Sequence, residues 1–282
     1  MTVEEPRTHY RAPPVSVRLP PDVTSVLDNI AMEREISRSK VIVDICRRYA
    51  SAYTIEERTF EPNDKDHYLL LAKTLWGKTF LVKHLIIPAL GKKRIIALDA
   101  HGEYDFKPLP VEYDRTIPHT SNDMFQMLAL NSAWGDVDRI CRDVLRELQS
   151  SKENRSLRFN VLDPSSEAML GTELLKRLTQ TRWNPPILLV VEECNRFDCR
   201  ALVSRGRHFG IQAVLLSQFR LAEEVMTNCK VLLGSISMTE AEKIDPLAGS
   251  AVLDLQEHEF LFEREKGLWS KFKFKPRGRR NG

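Results

Sequence analysis

Nothing in this 282-residue sequence approaches the ~18 consecutive apolar residues that a membrane helix needs. The opening residues MTVEEPRTHYRAPP also lack the basic-then-apolar layout of a secretory signal. The expectation is a soluble cytoplasmic protein, residing in a host's cytoplasm if a virus or plasmid encodes it. Cysteines are few. Cys46, Cys141, Cys194, Cys199 and Cys229 form no C-x-x-C pair, which argues against zinc-site spacing and a disulfide framework and leaves reduced, mostly buried thiols. Internal repeats and low-complexity tracts are missing too. Charge nearly balances at a formal +3, so composition alone makes no case for a polyanionic partner. What is present is 42% hydrophobic residues, enough for a sizeable core, and a length that suggests about two domains.

After a leader expected to be flexible (1–14), Val15, Val17 and Leu19 alternate with Ser16 and Arg18, the period of a strand. Pro20-Pro21 ends it. Asp22 then suits the N-cap of a helix with a stripe of Val23, Val26, Leu27, Ile30 and Ala31. Ser39 suits the cap of a second helix whose inner face is Val41, Ile42, Ile45, Cys46 and Tyr49. One strand and two short helices bury too little to stand alone, and pairing two copies through the strand would remedy that. Residues 15–53 resemble the ribbon-helix-helix family of DNA-binding domains. The resemblance implies a dimer whose ribbon offers Ser16 and Arg18 to base edges, with Ser39 at a DNA phosphate. A helical hairpin used for dimerisation alone is the other reading.

Residues 54–66 are charged and read as a linker. Beyond them, strand-like runs at Tyr68–Leu71, Arg94–Leu98, Arg158–Leu162, Ile187–Val191, Gln212–Leu216 and Val231–Leu233 alternate with helical ones at Lys78–Leu90, Asp136–Gln149, Glu167–Thr179 and Arg200–His208. That alternation predicts an α/β fold with a mostly parallel sheet covered on both faces.

Two stretches carry recognisable chemistry. Ala72-Lys73-Thr74-Leu75-Trp76-Gly77-Lys78-Thr79 matches the phosphate-loop pattern G-x-x-x-x-G-K-[ST] except at its first position. Such a loop aims backbone N–H groups and a helix N-terminus at phosphates, with Lys78 bridging phosphate oxygens and Thr79 on Mg²⁺. Taken alone, the match is as compatible with chance. In PPILLVVEECNRF, a buried strand ends in Glu192-Glu193, where an open α/β sheet places its ligand. Paired acids there suit ATP hydrolysis, one orienting Mg²⁺ and one polarising water; a helix start enriched in Glu is the plainer alternative.

With Asp99-Ala100-His101-Gly102-Glu103-Tyr104 and the run from Ser204-Arg205-Gly206-Arg207-His208-Phe209-Gly210 to Ser217-Gln218, these stretches resemble, in this order, the HerA/FtsK superfamily of P-loop ATPases that pump DNA. The resemblance covers about residues 66 to 265. It implies a RecA-like ATPase domain (67–275) using ATP and Mg²⁺, arranged as a hexameric ring on double-stranded DNA. Glu193 would be the catalytic glutamate, Glu192 the Mg²⁺ acid and Gln218 the sensor. Arg207, with Arg205 its competitor, would reach a neighbour's site, and Asp99 and Glu103 would support Mg²⁺ or water. Family loops read G-x-x-G-x-G-K-T, so Ala72 and Leu75 depart from it. Leucine is expected to hold the loop only at negative φ, with Trp76 free to pack on the base or on a neighbour. In LWSKFKFKPRGRRNG, aromatic residues alternate with lysines, which reads as a final strand with one core face and a basic tail (276–282) on DNA phosphates or simply in solvent. The rival readings are a DNA-binding regulator with a weakly catalytic nucleotide domain, and a small-molecule NTPase.

Overall fold

The structure, a computed structural model, describes residues 19–55, 57–91, 93–113, 124–161, 163–265 and 268–274. Contacts divide the chain into residues 1–49 and 50–282. In the first unit, α1 (Pro21–Glu33) and α2 (Arg38–Thr54) meet through buried Leu27, Ala31 and Val41, and Arg38 grips Asp28 through two bonds of 2.5 and 2.6 Å. Two expected caps move. Pro21 occupies the first helical position, where its missing N–H is harmless, so Asp22 lies inside the first turn. Ser37, not Ser39, caps α2, its Oγ accepting from Lys40 N–H at 3.3 Å; Arg38 thereby joins the helix and reaches Asp28. Val23, Val26, Ile45 and Cys46 of the expected inner faces are exposed, since two short helices cannot cover both stripes. Ser16 and Arg18, and the ribbon strand up to residue 18, lie outside the described residues, as does the tail 276–282.

The second unit holds β1 (His67–Leu71), β2 (Arg94–Leu98), β3 (Lys107–Tyr113), β4 (Arg155–Val161), β5 (Ile187–Val191), β6 (Ile211–Ser217), β7 (Cys229–Leu233), β8 (Glu259–Glu265) and β9 (Leu268–Lys273). They form one sheet in the order β3-β4-β2-β5-β6-β1-β7-β8-β9. Pairing is parallel from β3 to β7 and antiparallel through β8 and β9. This mixed, mostly parallel sheet flanked by helices is an α/β core consistent with a P-loop NTPase.

Strand periodicity sorts the apolar side chains onto two faces. Leu69, Leu71, Ile96, Leu98, Leu189 and Val191 meet α4 (Met124–Ser150) and α5 (Pro164–Leu178), whereas Tyr68, Leu70, Ile95, Leu188 and Val190 meet the helix over residues 78–90, α3. Within α3 a π-helical turn spans Val82–Ile86, just before Pro88. Proline has no N–H to donate and crowds the carbonyl four residues back, and a wider turn relieves both.

Several boundaries depart from expectation. β3 carries Pro108 and Pro110, which an edge strand tolerates but a composition reading discards. β4 starts at Arg155, a buried guanidinium paired with Glu147 at 2.8 Å. The helix at Arg200–Arg205 gives way to a 3₁₀ turn, Gly206–Phe209. Part of the expected linker is packed: Phe60 is buried against Tyr68, Phe262 and Phe272, and Arg58 N–H donates to the Lys271 carbonyl at 2.8 Å. In the final strand Trp269 is buried in one layer and Phe272 in the other, while Lys273 is exposed.

Candidate functional site

Three neighbouring strands end at one edge of the sheet. β1 runs into the candidate phosphate loop, β6 beside it ends at Ser217-Gln218, and β5 beyond ends at Glu192-Glu193. Around them opens a cavity of about 330 Å³ whose walls include Lys78, Thr79, Glu103, Glu192, Glu193 and Gln218.

The loop explains its own departures. Ala72 N–H donates to Ser217 O (3.2 Å) and Lys73 N–H to Ser235 O (2.8 Å), so both residues prolong the sheet and no glycine is needed at the first position. Leu75 corrects the expectation of negative φ. It adopts φ 64° and stands 90% exposed beside Thr74, in the left-handed conformation that the family's glycine would supply. Gly77 has φ 91°, and a Cβ there would lie 2.7 Å from His258 Nδ1. Trp76 packs on its own chain. Its Nε1 donates to Glu259 O at 3.0 Å, and its ring edge lies where a Cβ on Gly234 would be.

Lys78 opens α3, its Nζ donating to Ala72 O (2.6 Å) and Lys73 O (2.9 Å). Burial pulls its pKa below the usual lysine range, opposed by Glu192 and Glu193. Thr79 Oγ1 donates to Glu192 Oε1 at 2.8 Å, tying the loop to the acidic strand. Glu192 is only 4% exposed. Burial raises its pKa, the Thr79 hydroxyl opposes the rise, and Asp99 and Glu103 add to it. One hydroxyl and one carboxylate at a phosphate site are donors that Mg²⁺ accepts, because it keeps several waters and takes its other ligands from the phosphates. Among the described residues no group of three or more His, Cys, Asp or Glu could hold a metal by itself.

Glu193 also sits at positive φ, 45°. Its carboxylate meets His101 Nε2 at 2.8 Å and Arg196 at 2.6 Å, and Arg196 also binds Glu167 at 2.9 Å. The bond to Glu193 raises the His101 pKa. Asp99 takes a different task from the expected Mg²⁺ support. It is buried, and its oxygens accept from Glu103 N–H (2.7 Å), Tyr104 N–H (3.1 Å) and Ser156 Oγ (2.7 Å). The carboxylate thus shapes the turn that carries His101 and Glu103 to the cavity. Arg207 is not among the cavity residues; its guanidinium donates to Asn228 O at 3.5 Å, just before β7 begins.

Sequence reasoning overlooked three residues. His101 was visible inside the Asp99–Tyr104 stretch, and Arg196 follows Glu193 by three positions. His258 carries no signal at all, because only folding brings it to Gly77.

No family model and no curated protein matches the chain. Among solved structures, it is similar to the genome packaging NTPase B204 of Sulfolobus turreted icosahedral virus 2 in complex with ATP-gammaS, at 16% identity over 75% of this chain and 98% of that one, with a TM-score of 0.46. VirB4 of Thermoanaerobacter pseudethanolicus is similar at 12% identity over 74% and 89%, with a TM-score of 0.45. The pCW3 conjugation coupling protein TcpA with ATPgS is similar at 12% identity over 78% and 64%, with a TM-score of 0.42.

Proposed function

We propose that the chain is an ATP-driven DNA-translocating motor. The observation that carries the reading is the 2.8 Å bond from Thr79 to Glu192, with Glu193 and Gln218 on the same cavity wall. A phosphate loop closed onto an acidic strand end, with a second acid and a glutamine beside it, is what hydrolysis of a phosphoanhydride requires.

In this reading the N–H groups at the start of α3 hold the phosphates, and Lys78 leaves the carbonyls of Ala72 and Lys73 to bridge them. Thr79 and Glu192 would hold Mg²⁺, which would offset charge on the phosphate oxygens. Glu193 takes the proton of the attacking water, and Gln218 aligns that water. Glu103 supports the site from the Asp99 turn. Arg207, remote from its own chain's cavity, serves a neighbouring subunit's site in a ring, a hexamer by the family resemblance, where such a finger is worth roughly 10³ to 10⁵ in rate. Ribbon-helix-helix dimers grip duplex DNA through Ser16, Arg18 and Ser39.

A second reading, a DNA-binding regulator with a catalytically weak nucleotide domain, draws on the engagement of Glu193 by His101 and Arg196. Glu193→Gln separates the two. The motor loses its ATP turnover while still binding nucleotide; the regulator has no turnover to lose, and its sequence-specific DNA binding fails in Arg18→Ala.

A further inference from the structure

The geometry points to an aromatic platform that takes the base of a nucleoside triphosphate, built from Phe80 of α3 with His258 and Phe274 of the C-terminal hairpin. The inference rests on the nucleotide reading above and names where the base goes. Trp76, the aromatic residue nearest the loop in sequence, is already engaged with Glu259 and Gly234.

Phe80 follows Thr79 directly and lines the cavity, its ring half-buried. Its centroid lies 4.3 Å from that of His84, 5.5 Å from that of Phe274 and 6.4 Å from that of His258. Phosphates laid along the N–H groups of residues 77–79, with the terminal one toward Glu193, send the sugar and base out past Phe80. Phe80 lines the cavity, and His258 and Phe274, likewise half-buried, pack beside it, a grouping that suits a flat heteroaromatic group.

His258 ties the platform to the loop. It holds φ 64°, a conformation that a non-glycine residue adopts only when its surroundings impose it. Its Nδ1 lies 3.3 Å from Trp76 O; because a carbonyl only accepts, the ring proton sits on Nδ1. Its ring covers Gly77, and its own carbonyl accepts from Phe274 N–H at 3.2 Å. One residue therefore contacts the phosphate loop, Phe80 and Phe274 together. Stacking reads a π-face more than a hydrogen-bonding edge, so the platform accepts adenine and guanine alike.

The test is calorimetric titration, with Mg²⁺ present, of ATP, GTP and inorganic triphosphate into the full-length protein and into Phe80→Leu, which keeps an apolar side chain on α3 but removes the ring. Expected is a rise of about tenfold in Kd for ATP and GTP, within the range for loss of one stacking partner, with triphosphate unchanged. An unchanged Kd for ATP, or equal weakening of ATP and triphosphate, overturns the platform. So does wild-type protein that binds triphosphate as tightly as ATP. Wild-type protein that binds neither overturns the phosphate-loop reading, and the platform with it.

Discussion

Leu75 stands at the tip of the loop with φ 64° and its side chain 90% in water. A left-handed backbone costs an L-residue about 1–2 kcal/mol, and so exposed a side chain recovers little by burial. Glycine would remove the strain while adding about 0.5–1 kcal/mol of unfolded-state entropy. Leu75→Gly should therefore match or exceed wild type in urea unfolding, by up to about 1.5 kcal/mol, whereas β-branched Leu75→Val should fall below it. The opposite ranking would mean that the left-handed conformation carries no strain. At Glu193 the same backbone conformation aims a carboxylate at both His101 and Arg196, so two of the site's segments meet on one oxygen pair. None of this shows in a pattern match. The notation G-x-x-G-x-G-K-T made Ala72 and Leu75 look like equal departures, yet one extends a strand and the other carries the strain.

The strands were legible where the sheet buries them completely. Ile187–Val191 and Ile95–Leu98 are short apolar runs that stop at acids, and at the strand ends those buried carboxylates find partners, Thr79 for Glu192 and backbone N–H groups and Ser156 for Asp99. β3 was not legible, because its prolines and charges belong to an edge. The role of the β8–β9 hairpin was not legible either, since it joins residue 76 to residue 259 and residue 77 to residue 258 across most of the chain. That hairpin makes the Trp76 contact a property of two elements. Trp76→Phe keeps an aromatic ring over Gly234 but leaves Glu259 O without its donor, so a loss of about 1–3 kcal/mol is expected by denaturant unfolding. A variant as stable as wild type would show that the hairpin does not brace the loop.

Across the molecule, stability should depend on pH through His67 in β1. Its Nδ1 accepts from Ala213 N–H at 2.8 Å, which places the proton on Nε2, a buried atom with no partner among the described residues. Burial lowers its pKa from the ordinary 6.5 to about 4, the charges of Arg207 and Lys93 adding to the fall and Asp66 opposing it. The unfolded chain then binds a proton that the folded one refuses. The contribution is fully present above about pH 6.5 and is lost as pH falls toward 4, at about 1.4 kcal/mol per unit. Between pH 7 and pH 5 the wild type should lose about 2 kcal/mol more than His67→Gln in urea unfolding; equal losses would assign the acid sensitivity elsewhere. In the other unit, the expected ribbon lies outside the described residues and the helices leave Val23, Val26 and Ile45 exposed, so the reading of DNA there rests on the sequence pattern.

The proposal that ATP hydrolysis at Glu193 drives movement on DNA meets its most direct test in ATP turnover measured with and without duplex DNA. The account predicts turnover that rises with DNA and disappears in Glu193→Gln while nucleotide binding persists. Turnover indifferent to DNA, or undiminished in Glu193→Gln, would contradict it.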